Sequence, residues 1–142
     1  MVDPGLMSRI NRMKQALNRL KRYVELSLDD ILEQDLTPSL EREVQVTIEV
    51  LLDIGSAIIS SMGWGVPSSY REIAILLFKN NVLDKDLSDK LASLSGLRNI
   101  IVHLYSMVDH ELLYKHAKAL LDDSRQILMR MLKYMEEHGI DP

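Results

Sequence analysis

Apolar residues recur at intervals of three and four along most of the chain, and no stretch makes a convincing strand. That spacing marks one face of successive amphipathic helices. The first predicted helix runs from about Leu6 to Gln34, with Ile10, Met13, Leu17, Leu20, Val24 and Ile31 on its stripe. The second runs from about Ser39 to Met62, striped by Leu40, Val44, Ile48, Leu51, Leu52, Ile58 and Ile59. Gly55 lies inside it and points to a close helix–helix approach rather than a break. The third opens with Ser69-Tyr70-Arg71-Glu72, a capping-box pattern, and ends near Asn80-Asn81. The fourth spans about Asp84 to Met107. The fifth follows Asp109, a plausible N-cap, and continues to about Glu137 with Leu113, Ala117, Leu120, Ile127, Met131 and Tyr134 on its stripe. Gly63-Trp64-Gly65-Val66-Pro67 is the clearest loop. The expectation is an all-α antiparallel bundle of about five helices, one domain over residues 1–142 with its core at about 6–137.

The fourth helix does not fit a simple bundle. At about 100° per residue, Leu94, Leu97, Ile101, Leu104 and Val108 form a stripe sufficient to dock it. Ile100 then lies almost opposite that stripe, and Val102 lies off its edge. Asn99 and His103 project between those two, one turn apart. Arg98 and Tyr105, seven residues apart, share a face nearer the core stripe. A helix apolar on two sides is buried on two sides. The simplest second burial is a copy of the same chain across a two-fold axis. Arg98 and His103 sit about 140° apart on one helix and converge poorly. Two facing helices bring both pairs into one cleft.

Composition narrows the classes of function. The 142 residues carry a net charge of -4, which excludes a generic polybasic coat for DNA or membranes while leaving room for a local basic patch. The absence of cysteine removes disulfides, thiolate metal sites and a thiol nucleophile. No run approaches 18 uninterrupted apolar residues, and no signal peptide is visible at Met1–Gly5, so the expectation is a cytoplasmic protein without a membrane span. His110, His116 and His138 lack metal-ligand spacing and read as surface residues. The eight methionines read mainly as core filler. Trp64 either anchors its loop or touches a partner.

Residues 96–105 read Gly-Leu-Arg-Asn-Ile-Ile-Val-His-Leu-Tyr. This Arg-Asn-x3-His-x-Tyr spacing resembles the HEPN superfamily, and specifically its HepT-like branch. Ser69–Glu72, the acidic and leucine-rich stretch at 84–94, and Val108-Asp109-His110-Glu111-Leu112-Leu113-Tyr114 match as context, so the likeness covers most of the chain. The resemblance implies a dimeric helical bundle and a metal-independent ribonuclease with no cofactor, acting as the toxin of a toxin–antitoxin pair. It implies that Arg98 and His103 are the catalytic pair and that Asn99 is the polar residue beside the arginine. Tyr105 is then the tyrosine to which an MNT-type nucleotidyltransferase antitoxin adds AMP. The partners implied are a second copy, that antitoxin and RNA; neither DNA nor a membrane is expected. The alternative is a non-catalytic HEPN module that binds a nucleotidyltransferase or a nucleotide.

The residue chemistry suits the first reading. An imidazole titrates near neutral pH and moves protons in either direction. A guanidinium offers phosphate a planar fork of donors and stabilises charge building at phosphorus. The bland readings stand beside these. A helical arginine is usually solvated or ion-paired, a lone histidine is usually structural, Asn99 can simply satisfy a backbone group, and Tyr105 can pack at the bundle edge. The first helix carries Arg9, Arg12, Lys14, Arg19, Lys21 and Arg22 without an acidic residue from Met7 to Val24. This is either a solvated face snorkelling over the apolar stripe, the favoured reading, or an RNA-guiding edge that makes Arg9, Arg12 and Arg19 candidate RNA contacts.

Overall fold

The computed structural model describes residues 5–103 and 110–142, with side chains at all of these except 102 and 103. Among the described residues six helices follow one another: α1 (Leu6–Glu25), α2 (Leu28–Glu33), α3 (Thr37–Met62), α4 (Tyr70–Lys79), α5 (Lys85–His103) and α6 (His110–Glu137). The expected first helix is therefore two. Leu26 turns extended, and the Ser27 hydroxyl accepts from Asp30 N at 3.1 Å to start α2. A serine that bonds the backbone three residues on offers the chain an alternative to helix continuation. The Tyr114 hydroxyl of α6 donates to the carbonyls of Val24 and Leu26, which compensates the acceptors freed at the break.

The central helix is α3, which packs against α1, α4, α5 and α6. It is long and apolar enough to cross a bilayer by length and composition, with a mean hydropathy of 1.4 over its best window. Its apolar side chains are spent on the core instead: Leu40, Val44, Ile48, Leu51, Ile54, Ile58 and Ile59 are almost fully buried. Each large apolar side chain so buried contributes about 1.5–3 kcal/mol against exposure. Pro38 sits in the first turn, where its missing N–H costs nothing, and this moves the start two residues ahead of the expected Ser39. Gly63 ends the helix at φ 70°, with Trp64 N donating to Ile59 O at 3.1 Å.

The close approach expected at Gly55 is present. A Cβ there would lie 2.7 Å from Ile73 Cγ2 and 3.1 Å from Leu77 Cδ1, so only glycine lets α4 seat on α3. Ser69 caps α4 by accepting from Glu72 N at 3.1 Å, while the Glu72 carboxylate takes the Ser68 hydroxyl at 2.6 Å. Asp84 caps α5 by accepting from Leu87 N at 2.8 Å. The Ser88 hydroxyl then ties α5 to the Ala74 carbonyl of α4 at 2.8 Å. Lys90 bridges α5 to Asp123 of α6 at 3.3 Å. The expected extension of the fourth helix to Met107, its stripe residues Leu104 and Val108, and the Asp109 cap lie outside the described residues.

A candidate phosphate-binding site on α5

The core-facing stripe of α5 is there over its described residues, as is Ile100 on the opposite side, while the Val102 side chain lies outside the described residues. Leu94 and Ile101 are buried and Leu97 packs at the core margin, while Ile100 remains 46% exposed. Adjacent isoleucines thus point to different sides of one helix, as its apolar pattern requires. Asn99 lies on the exposed side beside Ile100.

Arg98 is held from three directions. Its Nε donates to Glu49 Oε1 of α3 at 3.3 Å. Its Nη1 donates to Asn99 Oδ1 at 3.4 Å. Its Cζ lies 5.0 Å from the centroid of the Tyr70 ring, at the start of α4. A cation over an aromatic face is attracted by the ring quadrupole. The side chain keeps only 18% of its exposure. A flexible arginine is thereby ordered before any ligand arrives, which removes an entropic cost of binding a phosphate. Glu49 is steadied in turn by Gln45 Nε2 at 3.2 Å.

Beside this cluster runs a groove of about 680 Å³ between α3, the 63–69 loop and the start of α4. Ser56, Ser60, Val66, Pro67, Tyr70 and Asn99 are among its walls. Tyr70 and Asn99 therefore touch both the groove and the guanidinium.

Arg98 and Asn99 are brought together as expected from their adjacency. The side chain of His103 and all of Tyr105 lie outside the described residues; the backbone of His103 is the last described part of α5. Three arginines of the basic run on α1 reach carboxylates of α3. Arg12 makes a two-pronged pair with Glu43, both contacts at 3.0 Å, and Arg19 joins the same carboxylate at 3.1 Å. Arg9 lies 3.6 Å from Asp53. Glu43 is only 4% exposed, and although its burial penalises the charge, the two guanidiniums prevail and hold its carboxyl below the usual range. Arg9 and Arg19 keep 40% and 46% of their side-chain exposure beside these pairs, and Lys14, Lys21 and Arg22 are exposed as well. His110, His116 and His138 are exposed too. Among the described residues no cluster of three His, Asp or Glu side chains is placed to hold a metal ion.

Two site residues escaped sequence reasoning. Tyr70 stood inside the Ser69–Glu72 signal, legible as a cap but silent about a cation. Glu49 carried no signal, because its partner lies 49 positions further on.

Comparison with known proteins identifies the family. A family model described as ribonuclease HepT-like matches residues 13–131. The chain is 34% identical over 112 residues to the tRNA nuclease HepT of Aphanizomenon flos-aquae, covering 76% of this chain and 75% of that one. It is 27% identical over 127 residues to the mRNA nuclease HepT of Shewanella oneidensis, covering 87% and 92%. Among solved structures, a tri-AMPylated Shewanella oneidensis HEPN toxin in complex with an MNT antitoxin superposes with a TM-score of 0.81 at 26% identity, over 92% of this chain and 98% of that one. The cytosolic protein YutE from Bacillus subtilis, at 22% identity and a TM-score of 0.83 over 99% and 96%, shares the fold. With a family match over residues 13–131 and a relative 34% identical across three quarters of both chains, the chain belongs to the HepT-like ribonuclease family.

Proposed function

We propose that this HepT-like nuclease is the toxin of a toxin–antitoxin pair and cleaves RNA in a cleft built by two copies of the chain. The reading rests on one observation above the others: Arg98 is pre-oriented by Glu49, Tyr70 and Asn99 on the helix that carries His103 and an exposed Ile100. In the dimer, α5 meets its own copy, and Arg98, Asn99 and His103 of both copies converge.

Cleavage proceeds by attack of the RNA 2′-oxygen on the adjacent phosphorus. The 2′-OH gives up its proton, the new O–P bond forms, the bond to the 5′-oxygen breaks, and that oxygen takes a proton. The products are a 2′,3′-cyclic phosphate and a 5′-hydroxyl. His103 serves as base or acid for these transfers. Arg98 stabilises the added negative charge on the phosphoryl oxygens. Asn99 orients Arg98 and donates its remaining amide hydrogens. No step calls for a metal. An MNT-type nucleotidyltransferase partner silences the site by placing AMP on Tyr105, where added charge engages Arg98 and added bulk excludes RNA.

The test is expression of the wild-type chain beside Arg98→Ala and His103→Ala, following growth and total RNA together. Each variant loses growth inhibition and RNA cleavage while sedimenting as the wild type does. Full toxicity in either variant overturns the catalytic assignment, and an inactive wild type favours the non-catalytic binding module.

A further inference from the structure

We propose that the groove beside Arg98 seats the ribonucleoside attached to the phosphate under attack, and so sets which nucleotide is preferred at the cut. The inference rests on Arg98 being a phosphate ligand. Two of the three residues that orient Arg98, Tyr70 and Asn99, also line the groove. A phosphate held by the guanidinium therefore presents its own nucleoside to those two side chains first.

The size and chemistry of the groove fit that occupant. At about 680 Å³ it falls in the range of small-ligand pockets and accommodates one nucleoside with room for solvent. Its walls mix apolar surface from Val66, Pro67 and Ile73 with hydroxyls from Ser56 and Ser60. A nucleoside has the same mixed character: flat apolar faces, a polar edge and sugar hydroxyls. Ser68 and Ser69 also line it, but their hydroxyls are engaged with Glu72, which fixes the wall at the start of α4. Asn99 spends its carbonyl oxygen on Arg98, so its amide hydrogens are the ones left to address an acceptor on a base or sugar. Tyr70 supplies the aromatic surface on which single-stranded RNA bases commonly stack. Because the groove has walls of defined polarity, it discriminates among bases rather than only holding a backbone.

The experiment fills the groove without touching the residues that hold Arg98. Ser60 is exposed on α3, so Ser60→Trp inserts bulk at the wall with little cost to the fold; Ser60→Leu is the milder companion should the tryptophan variant fail to fold. Purified full-length variants are given a random-sequence RNA pool, and cut positions are mapped by sequencing, with KM and kcat measured on one good substrate. The expected result is a KM about tenfold higher, the scale of one displaced base contact, with an altered nucleotide preference beside the cut. Unchanged KM and an unchanged cut profile in a folded variant overturn the proposal, provided Arg98→Ala has lost cleavage. If Arg98→Ala cleaves normally, the phosphate-ligand reading falls first and this inference falls with it. If filling the groove leaves cleavage intact but blocks AMPylation by the antitoxin, the groove is a protein contact and the nucleoside assignment is wrong.

Discussion

Arg98 and Glu49 meet at 3.3 Å across the α3–α5 contact, and through this pair the central core helix dictates where α5 aims its guanidinium. Glu49→Ala leaves Arg98 free to rotate. Since a displacement near one ångström can cost about a hundredfold in rate, kcat falls by about tenfold to a hundredfold, with a smaller change in KM. Glu49→Gln, which keeps an acceptor for Nε, retains most of the activity. Steady-state kinetics on a single RNA substrate checks the order wild type, Gln, Ala. Equal rates for all three would mean that Arg98 does not depend on this contact.

Tyr70 divides into two testable parts. Tyr70→Phe keeps the aromatic face beneath Arg98 and changes cleavage by less than about threefold. Tyr70→Leu removes the quadrupole and lowers it by about fivefold to tenfold, the effect of about 1 kcal/mol. A leucine variant as active as the phenylalanine variant assigns Tyr70 to packing alone.

Glu43, with Arg12 and Arg19, fastens α1 to α3. Its folded pKa is depressed below the unfolded value, so its stabilisation is present above the unfolded carboxyl range and is lost as pH falls through the folded value. Glu43→Gln costs about 2 kcal/mol at neutral pH, and wild type and variant converge in strongly acidic solution. Urea titrations at several pH values read this directly. A gap that widened on acidification would have the wrong sign for a depressed carboxyl.

Gly55→Ala improves helix propensity by about 1 kcal/mol yet puts a methyl group into Ile73. The clash wins, for a net loss of about 1–3 kcal/mol. Ile73→Ala removes the obstructing Cγ2, so the pair of substitutions costs less than the sum of the singles. Thermal denaturation of the four chains closes the cycle, and strict additivity would place the obstruction elsewhere.

Incubation with the cognate nucleotidyltransferase and ATP adds AMP to the wild-type chain, seen by intact mass. Tyr105→Phe abolishes the addition at that site. A mass shift undiminished by the substitution would locate the modified residue elsewhere.

The fold was legible wherever local chemistry decides structure. Helix periodicity, the Ser69 cap and the tight approach at Gly55 all depend on residues close in sequence or on the missing side chain itself. The break at Leu26 was hidden because the apolar stripe runs through it from Leu20 to Ile31, and Ser27 signals a cap only once the chain has turned. The candidate site was half legible. The Arg98–Asn99 pattern was visible on one helix, but Glu49 and Tyr70 reach it from two others, and a stripe reads one helix at a time. The partners of the basic run on α1 were hidden for the same reason. Its counter-charges, Glu43 and Asp53, stand on a helix whose pattern speaks mostly of oil.

Trp64 stands edge-on to Tyr134 of α6 at 5.9 Å, and Tyr134 stacks on His138 at 3.8 Å. The loop that walls the groove is thus moored to the last turns of the chain. Its support comes from the end of α6, so replacing Tyr134 would loosen a rim some seventy positions upstream.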